Sequence, residues 1–175
     1  MLKKAFAGKV FLVGDHVNTD ILHPPDYFSL KRDKVAAGLS KGCKEDFMTQ
    51  LGPDSILVAG RNFGCGSSRE SSARSFKYNG IEIIIAESFA RIFYRNLTNQ
   101  GIHLITCPGI ARIAAQGEAI LGDLEKSEIK NMDSSWQLAC DPVPDYVRKI
   151  LAHGGLVNFL KAELKKNNQF LLRSK

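Results

Sequence analysis

The chain has 175 residues, a length that suits one domain with a sizeable buried core. Its net charge of +6 suits an acidic small molecule or an acidic partner subunit. Nucleic acid is not the favoured partner, because the sequence has no RNA-binding aromatic signature and no helix-turn-helix pattern. No run of 18 apolar residues and no secretory signal is present, so we expect a cytoplasmic protein without a membrane span.

The N-terminal part predicts one strand followed by an irregular region. "KVFLVG" at residues 9–14 has the apolar character of a strand, and the polar turn "DHVNTD" follows it. The adjacent prolines Pro24 and Pro25 exclude a helix at that point. The next residues, to position 50, are polar, charged and interrupted by glycine, which predicts a mobile loop near residues 24–50 with one short helix.

The middle of the chain predicts a parallel sheet with crossover helices. Short apolar runs alternate with stretches of helical periodicity, and the helical stretches end at Gly80 and Gly101. This order is typical of strands joined by helices that pack on the sheet. The predicted strands are residues 55–60, 81–86 and 102–107, and the predicted helices are residues 67–80 and 88–101.

The C-terminal part predicts short antiparallel strands and then two helical pieces. The strand candidates are "AILGDL", "SEIKNM" and "WQLAC", and the helical pieces are separated by Gly154 and Gly155. No internal repeat or linker divides the chain. We therefore predict a single α/β domain over residues 1–175, with a mixed sheet around a strand–helix–strand core.

The densest glycine stretch is "GRNFGCGSSRESSA", residues 60–73. It does not fit the familiar phosphate or nucleophile loops. A Walker A loop would need a glycine followed by lysine where Cys65 stands, and a dinucleotide fingerprint would need a third glycine at Arg69. The pattern G-x-S-x-G is also missing.

Two interpretations of this stretch stay open from the residues alone. Ser67 and Glu70 have the spacing of a capping box, which would make Ser67 the N-cap of the following helix. The same geometry would direct free backbone N–H groups at an anion, and Arg69 would add a planar fork suited to a carboxylate. Cys65 has no histidine near it in sequence, so a small buried thiol is favoured over a nucleophile.

The four cysteines are widely spaced and lack the patterns of metal ligands. They form no C-x-x-C pair and no Cys/His cluster, so neither a disulfide framework nor an iron–sulfur cluster held by this chain alone is expected. They are Cys43, Cys65, Cys107 and Cys140.

"GRNFGCGSSRE" closely resembles the active-site segment of the swivelling domain of the aconitase superfamily, and most of all the small subunits of the 3-isopropylmalate dehydratase family. Three further segments match in the same order: "GDHVNTDILHP", "IAESFARIFYRNLTNQGI" and "ILAHGGLVNFLK". Together these segments extend over most of the chain.

The resemblance implies an enzyme subunit that works only in a heterodimer or a larger assembly. A separate, larger subunit would carry a [4Fe–4S] cluster, whose open iron acts as a Lewis acid on the substrate. The implied reaction removes water from a 2-hydroxy di- or tricarboxylate and adds it back with the hydroxyl group on the neighbouring carbon, as in leucine biosynthesis. A rival hypothesis from another class is a stand-alone module that binds anions or RNA.

The resemblance also implies roles for particular residues. Ser67 matches the catalytic base, Ser68 a substrate-binding neighbour and Arg69 the carboxylate clamp. Asp20, in "NTD", matches an acidic position that orients site groups, although an Asp that caps a turn is nearly as plausible.

The chain departs from the family's usual sequence motif after the glycine turn. The family reads S-S-R-E-H-A, whereas Ser71 and Ser72 replace the histidine and the alanine here. This difference removes any helper role for the histidine and makes an unusual substrate conceivable.

The segment through which the family reads its substrate is apolar in this chain. Relatives that act on homologues with a third carboxylate have an arginine there, whereas the first cations here are Lys31 and Arg32. Because burying alkyl groups is favourable, we predict 3-isopropylmalate or 2,3-dimethylmalate over homoaconitate, unless Arg32 reaches the site. The predicted substrate-reading residues are Tyr27, Phe28, Ser29 and Leu30.

Overall fold

The computed structural model describes residues 4–43, 46–52, 54–66 and 69–173. Their strands form one seven-stranded sheet in the order β4-β3-β2-β1-β5-β6-β7. The strands are β1 (Ala5–Val13), β2 (Ser55–Ala59), β3 (Ile83–Ala86), β4 (His103–Thr106), β5 (Ala119–Asp123), β6 (Glu128–Asn131) and β7 (Gln137–Ala139). The helices are α1 (Thr19–Leu22), α2 (Arg32–Ala37), α3 (Glu70–Tyr78), α4 (Arg91–Asn99), α5 (Ile110–Ile113), α6 (Asp145–Ala152) and α7 (Leu156–Arg173).

The sheet has a parallel half and an antiparallel half. Strands β1 to β4 run parallel to one another, whereas β5, β6 and β7 are antiparallel to their neighbours. Helix α3 connects β2 to β3, and helix α4 connects β3 to β4. The predicted α/β class, with a mixed sheet around a strand–helix–strand core, is therefore confirmed.

The sheet separates two apolar cores. Along β2, Leu57 belongs to one core while Ile56 and Val58 belong to the other, because successive side chains of a strand point to opposite faces. Burial on both faces explains why the central strands are apolar throughout instead of alternating. The first core also contains the aromatic rings of Phe76 and Phe93 from α3 and α4.

Residues 24–50 contain more regular structure than the predicted loop with one short helix. Besides α2, this region forms the 3-10 helices Pro25–Tyr27 and Phe47–Thr49. Two residues of this region, Val35 and Leu39, are buried, so apolar packing holds the region to the domain. The mobility of this segment stays a prediction.

The predicted C-terminal elements are present. The antiparallel strands β5, β6 and β7 lie within the three segments proposed for them. The break between α6 and α7 falls at Gly154 and Gly155, whose φ angles of +71° and +126° suit glycine and end the first helix. Within the described part of the chain, no helix is both long enough and apolar enough to cross a membrane.

Candidate active site

The candidate site lies where the parallel strands β1 and β2 end, and backbone hydrogen bonds join the two segments that follow them. The amide of Gly64 donates to the carbonyl of Val17 over 2.9 Å, and the amide of Thr19 donates to the carbonyl of Cys65 over 2.8 Å. The carboxyl edge of a parallel sheet is where ligands bind in open α/β folds. The "NTD" segment and the glycine turn are therefore direct neighbours.

The segment after β3 joins the same assembly. The amide of Phe63 donates to the carbonyl of Ser88 over 2.9 Å, and the amide of Ala90 donates to the carbonyl of Phe63 over 2.9 Å. The Phe63 ring then packs edge-on against Phe76 and Phe93 in the core. The glycine turn thus sits on an aromatic support and is bonded on both sides. We call these three connected segments the junction.

Two glycines of the turn need their positive φ angles and their missing side chains. Gly64 has φ of +78° and lies against the ring of Phe93, so a Cβ atom there would overlap the ring. Gly66 has φ of +93°, and a Cβ atom would lie 2.5 Å from Oδ1 of Asn18. The glycine density noted in the sequence therefore reflects close approach of neighbouring segments.

An ion pair also connects the first two segments of the junction. The backbone amide of Arg61 donates to Oδ1 of Asp15 over 2.7 Å, and its guanidinium donates to Oδ2 from Nε and Nη2 over 3.0 and 2.7 Å. These hydrogen bonds, the backbone one first, lower the pKa of the Asp15 carboxyl below its usual value. Asp15 is therefore ionised at neutral pH and accepts on both oxygens.

Arg69 directly precedes helix α3 and is exposed. The helix begins at Glu70, so Arg69 and not Ser67 occupies the N-cap position. The predicted capping box is wrong, because Glu70 is the first helical residue and not the third. Within the described residues, the Arg69 side chain forms no capping hydrogen bond to the helix.

Ser67 and Ser68 lie outside the described residues, between Gly66 of the junction and the N-cap residue of α3. Their proposed roles as catalytic base and substrate-binding neighbour stay predictions.

Asp20 lies in α1, one residue after Thr19, and its side chain is exposed. It does not cap the turn. Asn18 is the N-cap of this helix, and its Oδ1 accepts from the amide of Asp20 over 2.8 Å. Asn18 thus connects the backbone of Asp20 to the glycine turn, because its side chain also lies against Gly66. The sequence signal for Asn18 was its residue type, since asparagine is among the preferred N-cap residues.

The predicted substrate-reading residues are held at different depths. Tyr27, Phe28 and Ser29 are partly buried, whereas 95% of the Leu30 surface is exposed. The ring of Phe28 stacks on His23, with 5.5 Å between the ring centroids and 22° between the planes. The hydroxyl of Ser29 accepts from the amide of Lys31 over 3.1 Å and so shapes the backbone of the segment.

Arg32 is bound elsewhere and does not extend along α3 toward Arg69. Its guanidinium carbon lies 5.1 Å from the centroid of the Tyr78 ring, a cation–π contact. Tyr78 is the last residue of α3, nine residues after Arg69, which corresponds to about 13 Å along a helix axis. This contact ties Arg32 to the end of the helix that is remote from the candidate clamp.

The chain is similar to several known proteins. A family model described as the aconitase C-terminal domain matches residues 40–108. The 3-isopropylmalate dehydratase small subunit of Caldicellulosiruptor saccharolyticus is 39% identical over 166 residues, covering 93% of this chain and 94% of the relative.

The chain belongs to the 3-isopropylmalate dehydratase small-subunit family.

A solved structure and a second relative are also similar to this chain. A crystal structure of 3-isopropylmalate dehydratase from Methanocaldococcus jannaschii superposes with a TM-score of 0.86 at 36% identity, covering 94% of this chain and 98% of that one. The Methanogen homoaconitase small subunit of Methanothermobacter thermautotrophicus is 43% identical over 155 residues, covering 86% of this chain and 88% of the relative. The relatives are named small subunits, which implies a larger partner.

The cysteines of the described residues differ in their surroundings. Among the described residues, no group of three or more His, Cys, Asp or Glu side chains could hold a metal ion. Cys65, in the junction, is partly buried, and its Sγ donates to the carbonyl of His16 over 3.2 Å. A hydrogen bond between Cys107 and Cys140 lowers the pKa of the Cys107 thiol and raises that of Cys140.

Proposed function

We propose that this chain is the small subunit of a hydro-lyase that interconverts 2-isopropylmalate and 3-isopropylmalate by dehydration and rehydration, as in leucine biosynthesis. Its partner is a larger subunit that carries a [4Fe–4S] cluster, which supplies Lewis-acid activation of the substrate hydroxyl group. The junction supports the proposal, because the amide of Thr19, next to Asp20 in sequence, donates to the carbonyl of Cys65 in the glycine turn that precedes Arg69. The expected cytoplasmic location stays a prediction.

The chain itself supplies binding and proton transfer. The exposed guanidinium of Arg69 offers a planar fork for a substrate carboxylate. The first amides of α3, a helix of 9 residues, favour negative charge at the same end. We assign the removal of the proton next to the carboxylate to Ser67. A serine alkoxide needs such donors and a cationic neighbour to become accessible.

The segment at residues 27–30 supports a substrate with an alkyl group. It contains no cation, and the nearest arginine, Arg32, is engaged by Tyr78. A third carboxylate would therefore find no partner in this segment, whereas an alkyl group would gain from contact with Phe28. This supports 3-isopropylmalate or 2,3-dimethylmalate over homoaconitate. Overall identity does not select among them, because a homoaconitase subunit is among the relatives.

Reconstitution tests the proposal. The chain is produced alone and with its large subunit under anaerobic conditions, and turnover is measured with 3-isopropylmalate, 2,3-dimethylmalate and homoaconitate. We expect no turnover from the chain alone and turnover of an alkyl malate by the pair. Ser67→Ala should lower kcat by about 100-fold or more, as expected for loss of a general base, while Ser71→Ala serves as the matched control. Unchanged turnover in Ser67→Ala would contradict the assigned base.

A further inference from the structure

The side chain of His23 is fully buried at the end of α1, at 0% exposure. Its Nε2 lies 3.0 Å from the carbonyl oxygen of Val35 in α2. Because a carbonyl oxygen can only accept, Nε2 carries the proton of the neutral ring. Nδ1 is then left with a lone pair and needs a donor.

Ser72 of α3 provides that donor. Its hydroxyl oxygen lies 3.5 Å from Nδ1 of His23, and its side chain is also at 0% exposure. The amide of Ser72 donates to the carbonyl of Arg69 over 3.1 Å, so Ser72 belongs to the helical turn that follows the candidate clamp. A polar connection thus extends from the buried imidazole to the backbone of Arg69.

The face of the imidazole supports the substrate-reading segment. Phe28 stacks on it, and the ring of Tyr27 lies 6.4 Å away, centroid to centroid. Gly38 lies against both Tyr27 and His23: a Cβ atom built on it would lie 2.6 Å from Cγ of Tyr27 and 2.7 Å from Cδ2 of His23. Glycine at this position lets the segment pack directly against the imidazole.

We propose that His23 is a positioning residue that fixes where residues 27–30 lie relative to Arg69. This position selects the size of the alkyl group that the substrate can carry. His23 acts through Phe28 on one side and through Ser72 on the other, without touching the substrate. Ser72 stands where the family pattern has alanine, so the polar connection distinguishes this chain from that pattern. The inference rests on the proposed hydro-lyase function.

The pair of residues allows positioning to be separated from stability. His23→Leu removes the imidazole from both the Ser72 hydroxyl and the Val35 carbonyl, and Ser72→Ala leaves Nδ1 of His23 without a donor, so each should lower Tm. The double variant His23→Leu/Ser72→Ala removes both Nδ1 and the hydroxyl group that faced it. Its Tm should therefore recover relative to that of His23→Leu. His23→Gln keeps an amide donor for the Val35 carbonyl and serves as the conservative variant.

The test uses each variant reconstituted with the large subunit and compares kcat/KM for 3-isopropylmalate with that for 3-methylmalate. We expect the ratio to change about tenfold in His23→Leu and to stay changed in the double variant, since a pocket's preference for one or two methylene groups is of that size. kcat on the better substrate should change less than about threefold. His23→Gln should restore part of the ratio, and Ser72→Ala alone should shift it in the same direction as His23→Leu.

The outcomes separate the two proposals. If the ratio follows Tm and recovers in the double variant, or stays at the wild-type value in folded Ser72→Ala, the connection is structural and the inference is overturned. If the wild-type pair turns over neither malate, the proposed function fails, and the inference fails with it.

Discussion

Gly64 lies so close to the ring of Phe93 that no side chain fits between the glycine turn and helix α4. Its φ of +78° adds a second reason for glycine. Gly64→Ala should therefore lower the free energy of unfolding by about 3 kcal/mol, from overpacking together with left-handed strain. Denaturant titration of the isolated chain measures this change.

Gly109→Ala is the matched control for that prediction. Gly109 has φ of +86°, but no heavy atom lies within 4 Å of a Cβ atom built on it. Only the backbone strain remains, which costs about 1 kcal/mol. Equal losses in the two variants would show that the contact with Phe93 is unimportant.

Arg69→Lys should impair catalysis without affecting the fold. The Arg69 side chain is exposed and forms no capping hydrogen bond to the helix within the described part of the chain, so Tm should not change. The substitution replaces a planar fork by a point charge, and kcat/KM of the reconstituted enzyme should fall by about tenfold or more. Arg74→Lys, on the same helix, should stay within about twofold of wild type. A fall in Tm with unchanged kcat/KM would assign Arg69 to the fold.

Burial of His23 should make stability sensitive to mildly acidic pH. Burial lowers the pKa of its imidazole below the usual value of 6.5. Just below pH 6.5 the unfolded chain therefore binds a proton on this imidazole that the folded chain does not bind. The stabilisation is complete above pH 6.5 and is lost as the pH falls below it. Urea titrations between pH 5 and 7 should show this loss, and His23→Gln should show a flatter profile.

Asp15 and Asp46 act in a different pH range and do not obscure that result. Hydrogen bonds lower the pKa of Asp15 and of Asp46 below 3.8, so their contributions are present above that pH and are lost only in stronger acid. A stability profile in the His23→Gln variant as steep as that of wild type would mean that His23 is not the group responsible.

Leu30→Arg should broaden the substrate range toward tricarboxylates. Leu30 is 95% exposed, so the substitution removes no packing and adds a free guanidinium to the substrate-reading segment. In the reconstituted enzyme, kcat/KM for homoaconitate should rise by about tenfold relative to that for 3-isopropylmalate. Leu30→Gln, which has no charge, should leave the ratio unchanged. A similar change in both variants would point to the loss of leucine instead of the gain of charge.

The sequence predicted the central strands and their crossover helices because burial on both faces of a sheet has a direct compositional signature. Continuous apolar runs such as "SILVA" gave β2, and the helical stretches between these runs gave α3 and α4. Boundaries were less accurate. Strand β1 begins at Ala5 and not at Lys9, because its first residues pair with β5, which is a contact more than a hundred residues away.

The connections that complete the site could not be predicted in the same way. His23 and Ser72 are 49 residues apart, and no local pattern indicates that one buried side chain will meet the other. The capping-box spacing at Ser67 was misleading, because the helix begins later, at Glu70. Local spacing shows which residues are able to cap a helix, whereas tertiary contacts decide where the helix starts.

The main-chain bonds of the junction have a consequence for how such enzymes diversify. The bonds from Gly64 to Val17 and from Phe63 to Ser88 involve only amides and carbonyls, which every residue except proline offers in full. Substitutions at His23, at Ser72 or within residues 27–30 leave these bonds in place. If residues 27–30 read the substrate as proposed, one lineage can exchange its substrate by a few side-chain replacements and keep these main-chain bonds.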